Sequence, residues 1–273
     1  MPSNSHRPAA EAPEASVDPI DRRKFLRKVA AGAISATILM VFRPETSGQS
    51  GATPLETLSE GGRQAPLHDY AYVIRIDRCN GSGMCVQACS AENNVPEGLF
   101  RTWIERYIKT GDGIYVDSPN GGMDGFSEAE PFVDDALTSW YAPKLCNHCR
   151  NPPCVQVCPV GATFATEEGF VLVDNKHCIG CAACVHGCPY GSRFMNPETG
   201  VADKCTWCYH RVQRGQQPAC VEVCPTGARL FGDLNDPESE VAKLFKEDKW
   251  LVLKPDMHTE AYCFYIGLPR EVV

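Results

Sequence analysis

The sequence lacks an excess of positive charge. Its 26 Lys and Arg residues are outnumbered by 34 Asp and Glu residues, which gives a formal net charge of −8 at pH 7. Proteins that bind nucleic acid need a basic face to neutralise phosphate groups. We therefore expect no nucleic-acid partner.

The sequence also lacks an apolar run long enough to cross a membrane. The longest, VAAGAISATILMVF at residues 29–42, falls short of the ~20 residues that a spanning helix needs. It follows a lead rich in Pro, Ala and Ser and the cationic sequence DRRKFLRK, and together these resemble a twin-arginine export signal. We predict that residues 1–50 are a disordered lead and export signal, and that the protein is periplasmic with no membrane span after the signal. The cleavage site stays open, and an N-terminal helix packed on the domain is the alternative.

The usual motifs of substrate chemistry are missing as well. The chain has no glycine-rich nucleotide loop, no H-E-x-x-H, no G-x-S-x-G and no C-x-x-C-H haem-attachment motif. The sequence therefore predicts no catalytic residues.

Cysteine, by contrast, is abundant. The chain has 16 cysteines, and all but Cys263 fall into four blocks. Block one holds Cys79, Cys85 and Cys89; block two holds Cys146, Cys149, Cys154 and Cys158; block three holds Cys178, Cys181, Cys184 and Cys188; block four holds Cys205, Cys208, Cys220 and Cys224.

The spacing of these cysteines points to iron–sulfur clusters. Block three fits the ferredoxin pattern C-x₂-C-x₂-C-x₃-C-P, and blocks two and four are that pattern with a longer second gap. Such a run wraps three corners of one cluster and directs its fourth cysteine to a second cluster, and a glycine such as Gly180 lets the backbone approach sulfide. Structural zinc sites use separated cysteine pairs, and disulfide frameworks belong to smaller chains, so both fit less well.

An internal repeat indicates the fold. CVQVCPVGA at residues 154–162 returns as CVEVCPTGA at residues 220–228, and ACVHGCPYG in block three is a fainter copy. The repeat predicts an α+β fold of two interlocked bacterial ferredoxin-like (2×[4Fe-4S]) domains, with short strands, short helices and many loops.

The cysteine-rich segments carry a family resemblance. KLCNHCRNPPCVQVCPVGATF, CIGCAACVHGCPYGSRFMNP and KCTWCYHRVQRGQQPACVEVCPTGARLF are similar to the four-cluster electron-transfer (beta) subunit of DMSO-reductase-type molybdopterin oxidoreductases. The likeness is greatest to iron–sulfur subunits of polysulfide, tetrathionate and nitrite reduction and of membrane quinone reductase complexes. It spans about residues 68–267 and its motifs are specific.

The resemblance implies four ligand sets that cross between blocks. Three sets would each hold a [4Fe-4S] cluster, and one lacks a ligand. The complete sets are Cys146, Cys149, Cys154 and Cys188; Cys158, Cys178, Cys181 and Cys184; and Cys89, Cys205, Cys208 and Cys220.

The incomplete set is Cys79, Cys85 and Cys224, because Ser82 stands where the family has a cysteine. Loss of one thiolate leaves one corner of the cluster unheld, which favours [3Fe-4S]. Two alternatives stay open: Ser82 binds the fourth iron as an alkoxide, a harder and more basic ligand than a thiolate, or water or another side chain does.

The resemblance implies electron transfer, one electron at a time, between a multi-spanning quinone-binding membrane subunit and a molybdopterin-type catalytic subunit. In relatives the cluster of Cys79, Cys85 and Cys224 faces the catalytic side. The alternatives are a free-standing periplasmic polyferredoxin carrier and a chain that is itself a reductase.

Four further side chains are assigned environments near the clusters, in the core or on the surface. Cys263 lies in an aromatic segment that reads as a strand, where a buried free thiol is expected. His148 and His210 are interpreted as groups around the clusters or on the surface. Trp207 is expected to shield a cluster from water.

The sequence divides after residue 50 into three segments. Residues 51–145 hold block one and a surface insertion at 109–142; residues 146–204 form a central ferredoxin-like unit; residues 205–273 hold block four, a helix and a strand, and pair with 68–108. Alternation predicts a strand at 70–77 and a hairpin at 162–174 that turns at Glu168 and Gly169. Asp236 and Pro237 predict the start of a helix that runs to Lys246, with Val241, Leu244 and Phe245 on one face.

Overall fold

The computed structural model describes residues 68–126, 136–247 and 249–272. The expected export signal at residues 1–50 lies outside the described residues. Within the part that is described, no helix has both the length and the apolar character needed to cross a membrane.

The described residues form short elements, as expected for a chain whose loops carry metal ligands. The strands are β1 (Tyr70–Arg75), β2 (Thr102–Lys109), β3 (Ile114–Asp117), β4 (Thr138–Leu145), β5 (Thr163–Ala165), β6 (Val171–Val173), β7 (Arg193–Met195), β8 (Ala202–Lys204), β9 (Arg229–Asp233), β10 (Trp250–Leu251) and β11 (Cys263–Ile266). The α-helices are α1 (Met84–Asn93), α2 (Pro153–Gln156), α3 (Ala183–His186), α4 (Tyr209–Val212), α5 (Ala219–Glu222) and α6 (Glu240–Glu247). The mixed helix and strand content agrees with the predicted α+β class.

Blocks two and three have the same local architecture. Each ends in one helical turn, α2 or α3, and is followed by an antiparallel hairpin, β5–β6 or β7–β8. The first hairpin is the one predicted at residues 162–174. The two helical turns pack against each other, so the unit repeats a motif of ligand loop, helical turn and hairpin.

Blocks one and four are brought together by a sheet. The predicted strand at 70–77 is observed as β1, and it pairs antiparallel with β9 and parallel with β11 in the order β10-β11-β1-β9. Helix α1, which carries block one, packs against α5, which carries part of block four. The two most distant cysteine blocks of the chain are therefore neighbours.

The segment at 109–142 was predicted to be a surface insertion, and this is only partly right. Strand β3 is exposed, but β2 and β4 pair over their whole lengths in the sheet β3-β2-β4. Gly121 and Gly122 are buried, and a Cβ added to Gly83 in block one would lie 2.3 Å from the Met123 carbonyl oxygen. The segment therefore supports the block-one loop.

The described residues contain three apolar clusters, one of which joins blocks two and three through Cys154, Val171, Cys184 and Ala202. Of the other two, the larger surrounds the cysteine blocks and contains Tyr72, Trp207, Phe170 and Tyr265, each less than 2% exposed. The smaller lies under α6, whose Val241, Leu244 and Phe245 pack together as predicted. Helix α6 begins at Glu240 and not at Pro237, because the Asp236 carboxylate accepts the Glu238 N–H at 2.9 Å and closes a turn first.

Candidate metal centres

All 16 cysteines lie among the described residues, and all carry free thiols. None is joined in a disulfide. Every cysteine of the four blocks is thus available as a ligand. Burial raises the pKa of several of them, including that of Cys149 to about 12, so a cation must be present for these thiols to be held as thiolates.

One cavity gathers cysteines from blocks one and four. Cys79, Cys85 and Cys224 line it, together with Ser82 and Arg229. The structure therefore brings together the three cysteines and the serine that the family resemblance implies as one incomplete ligand set.

A second cavity gathers cysteines from blocks two and three. Cys146, Cys149, Cys154 and Cys188 line it, together with the buried residues Asn147 and Arg193. Cys146 and Cys149 come from the loop that leads into α2, Cys154 lies on α2, and Cys188 follows α3. Four thiol donors around one cavity suit a four-iron cluster.

A third group lies between α1 and α5. Burial raises the pKa of Cys89 well above its usual range, and the charges of Cys220, Cys205 and Cys208 raise it further. Such electrostatic effects require the four side chains to be near one another. The remaining predicted set, Cys158, Cys178, Cys181 and Cys184, ranges from buried Cys184 to exposed Cys181, and its grouping stays a prediction.

The loop after a block's last cysteine directs backbone N–H groups at sulfur. The pKa of Cys158 is lowered although burial raises it, because N–H groups of Thr163, Val160 and Ala162 surround the thiol. The pKa of Cys224 is also lowered although burial raises it, because N–H groups of Arg229, Thr226 and Ala228 lie at the same three offsets from the cysteine. The intervening glycines adopt φ of +66° and +63°, which explains the Cys-Pro-x-Gly pattern.

Gly180 is also constrained by packing between chain segments. Its φ is +70°, and an added Cβ would lie 2.5 Å from the Gly200 carbonyl oxygen. Its predicted role in letting the backbone approach sulfide stays a prediction.

His148 and His210 line neither of the two cavities. His148 is fully buried; its Nδ1 accepts the Val171 N–H at 3.0 Å, and its Nε2 donates to the Cys205 carbonyl at 3.0 Å. His210 is exposed, and its Nε2 lies 2.7 Å from Glu92. Both agree with the interpretation that they are surrounding or surface groups.

Trp207 and Cys263 also occupy the expected environments. Trp207 is 1% exposed and stacks on His148 at 4.1 Å between ring centroids. Cys263 is 0% exposed in β11 and lines neither cavity described above. Trp207 therefore excludes water beside block four, and Cys263 is a core residue.

Sequence reasoning missed two arginines and an asparagine. Arg229 and Arg193 line the two cavities, and neither is more than 5% exposed. Both side-chain polar atoms of Asn147 are buried without a hydrogen-bond partner among the described residues. The signal that could have found the arginines is their shared place five residues after Cys188 and Cys224.

These residues fit iron–sulfur clusters. Each cavity is lined by three or four thiols together with proline and apolar residues. Arg229 and Asn147, which have buried polar atoms without a hydrogen-bond partner among the described residues, belong to the same linings. Thiolate ligands, directed N–H groups and a dry surrounding are what such clusters use.

Comparisons with known proteins agree with this geometry. Residues 137–234 match the family model of a 4Fe-4S dicluster domain. The sequence is 45% identical to a tetrathionate reductase subunit of Salmonella typhimurium, over 75% of this chain and 74% of that protein. It is 42% identical to the thiosulfate reductase electron transfer subunit of Salmonella typhi, over 61% of this chain and 78% of that protein. It is 35% identical to a polysulfide reductase chain of Wolinella succinogenes, over 74% of this chain and 95% of that protein.

Proposed function

This protein belongs to the family of iron–sulfur electron-transfer subunits of reductase complexes, and from that premise we propose its place in such a complex. It carries electrons between a multi-spanning membrane subunit that exchanges them with quinone and a molybdopterin-type catalytic subunit. The observation that carries the proposal is the gathering of cysteines from distant blocks around shared cavities. A free-standing carrier is the alternative, and the names of the relatives favour a subunit.

The proposal assigns fifteen cysteines to four clusters. Three [4Fe-4S] clusters are held by the complete sets, and a [3Fe-4S] cluster is held by Cys79, Cys85 and Cys224. Cavity linings support two of these sets, and the mutual charge effects on Cys89 support a third. When bound, each cluster accepts and releases one electron without making a bond to substrate.

The chain's own residues hold these groups and keep them dry. The cysteines supply thiolates, the Cys-Pro-x-Gly loops direct N–H groups at sulfur, and Trp207 covers block four with its Nε1–H donated to the Cys146 carbonyl at 3.2 Å. Exclusion of water and hydrogen bonds to sulfur both tune reduction potential.

The proposed domain arrangement is two interlocked ferredoxin-like units. Residues 146–204 form one, and residues 205–273 pair with 68–108 to form the other. Pairing of β1 with β9 and packing of α1 on α5 support the second unit. The periplasmic location rests on the twin-arginine-type signal in residues 1–50.

Co-purification tests the function. The full chain is expressed with its signal and a C-terminal tag. It should be recovered from detergent-solubilised membranes together with two further subunits. One should contain molybdenum and the other should bind quinone. Recovery of the tagged protein alone, loaded with iron and free in the periplasm, would establish the free-standing carrier instead.

A further inference from the structure

Two arginines occupy equivalent places in the repeat. Arg193 and Arg229 each stand five residues after the last cysteine of a block, in the pattern Cys-Pro-x-Gly-x-Arg. The glycines have the same φ of +63°, and each arginine is the first residue of the strand that follows, β7 or β9. The two side chains therefore leave the backbone at matching points.

Both guanidinium groups are buried without a carboxylate partner. Arg193 is 5% exposed and Arg229 is 1% exposed, and among the ion pairs of the described residues neither contacts an Asp or Glu. Nε and Nη1 of Arg229 have no hydrogen-bond partner there. A buried charge is strongly unfavourable unless something of opposite charge accompanies it.

Each guanidinium has instead a threonine hydroxyl as a neutral partner. Arg229 Nη2 donates to Thr102 Oγ1 at 2.9 Å, and Arg193 Nη1 donates to Thr163 Oγ1 at 3.4 Å. Each threonine is the first residue of its strand, β2 or β5. The hydroxyls orient the guanidinium groups and leave their charge unbalanced.

Sulfur atoms of two different ligand sets surround each arginine. Arg193 Nη2 donates to Cys154 Sγ at 3.1 Å, and the charges of both Cys154 and Cys184 act on Arg193. Arg229 lines one cavity together with Cys85, and the charges of Cys85 and Cys220 act on its guanidinium. In both cases the two cysteines lie on helical turns that pack against each other, α2 with α3 and α1 with α5.

We propose that Arg193 and Arg229 set reduction potentials, each acting on the two clusters between which it lies. Arg193 serves the clusters of Cys154 and Cys184, and Arg229 serves those of Cys85 and Cys220. The inference rests on the proposed cluster assignment. A cluster becomes more negative when it is reduced, so a permanent positive charge in a dry site stabilises the reduced state and raises the potential.

The same charge weakens repulsion within a pair. Two reduced clusters repel each other, and a guanidinium between them offsets that repulsion. Both members of a pair can then be reduced at closer potentials, which favours movement of an electron from one to the next. The two arginines thus perform the same task in the two proposed ferredoxin-like units.

Redox titration followed by electron paramagnetic resonance tests the proposal on the complex as purified. In Arg229→Gln, the ratio of reduced to oxidised cluster at a fixed potential should fall about tenfold for the clusters of Cys85 and Cys220, a shift of about 59 mV for a one-electron couple. The reduction potentials of the clusters of Cys154 and Cys184 should stay unchanged. Arg193→Gln should give the reciprocal pattern.

Two controls separate charge from structure. Arg229→Lys and Arg193→Lys keep the positive charge and should retain potentials close to those of the unmodified protein. Arg106→Gln removes a buried guanidinium that already pairs with Asp117 at 2.7 Å, and it should shift no potential. Iron and sulfide content is measured for every variant.

Three results would overturn the proposal. They are unchanged potentials in fully loaded Gln variants, equal shifts in the Lys and Gln variants, and loss of iron from both Gln variants, which would mean that the arginines serve assembly. Failure of the proposed cluster assignment is recognisable separately, because the unmodified protein would then lack iron–sulfur signals. Failure of the proposed place in a complex is recognised by the co-purification described above. Absence of a three-iron signal alone would count against the assignment at Ser82 and leave the pairwise shifts measurable.

Discussion

A single oxygen atom distinguishes the site around Ser82 from its neighbours. Ser82 shares a cavity with Cys79, Cys85 and Cys224, and its backbone N–H donates to the Asn80 carboxamide oxygen at 3.2 Å. Position 82 therefore lies in the lining of the cavity that the three thiols share.

Restoring a thiol at that position should restore a fourth iron. In Ser82→Cys we expect a gain of about one iron atom per chain and loss of the signal of an oxidised three-iron cluster, because the fourth corner gains a thiolate. Iron analysis and electron paramagnetic resonance on anaerobically purified protein measure both. If the unmodified protein lacks the three-iron signal and the variant gains no iron, the unmodified site already holds four irons.

Cys263 provides the matched control. Cys263→Ala also changes one buried position in the cysteine-rich core, but Cys263 lies outside both described cavities. We expect unchanged iron content and a loss of about 1 kcal/mol in the free energy of unfolding from the small void.

Individual residues were predictable to the extent that their chemistry depends on spacing. Cysteine spacing defined the blocks, and the substitution at Ser82 was visible in the sequence. Arg193, Arg229 and Asn147 were not found, because an arginine is ordinarily exposed and its burial depends on which loops meet above it. Only the folded chain shows that neither arginine forms an ion pair with a carboxylate of the described residues.

Among the elements, the loop before α1 is under a tight steric constraint from the backbone of another segment. Gly83 adopts φ of +73°, and an added Cβ would lie 2.3 Å from the Met123 carbonyl oxygen. Gly98 has nearly the same φ, +74°, with no atom within 4 Å of an added Cβ. Comparing Gly83 with Gly98 therefore separates the free-energy cost of a left-handed backbone from the cost of a steric clash.

Replacing each glycine by alanine should therefore give unequal effects. Gly98→Ala should cost about 1 kcal/mol in stability, from backbone strain alone. Gly83→Ala should cost about 3 kcal/mol, because the segment that contains Met123 must also move. Thermal unfolding of the loaded protein gives the comparison, and equal falls in Tm would contradict the described packing of this segment on block one.

Elements with a local signal were predicted well. The alternation of β1, the turn between β5 and β6 and the apolar face of α6 are all properties of adjacent residues. The sheet β3-β2-β4 was missed, and residues 109–142 were taken for a surface insertion. Its strands are joined by contacts between distant residues such as Thr102 and Leu145, which a sequence pattern does not reveal.

At the scale of the whole molecule, the order of blocks along the chain differs from their order in space. Block one meets block four through β1 and β9. Blocks two and three, which lie between them in the sequence, pack against each other. The family resemblance implied this crossing, but spacing alone did not, since any two blocks could supply a ligand set. Because of this crossing, the position of block one depends on its contacts with block four.

The central claim is that the blocks hold four iron–sulfur clusters, and metal analysis tests it most directly. Protein purified without oxygen should contain about 15 iron atoms per chain, from three four-iron clusters and one three-iron cluster, with acid-labile sulfide in similar amount. Zinc in place of iron, or a colourless protein with its cysteines joined in disulfides, would contradict the account.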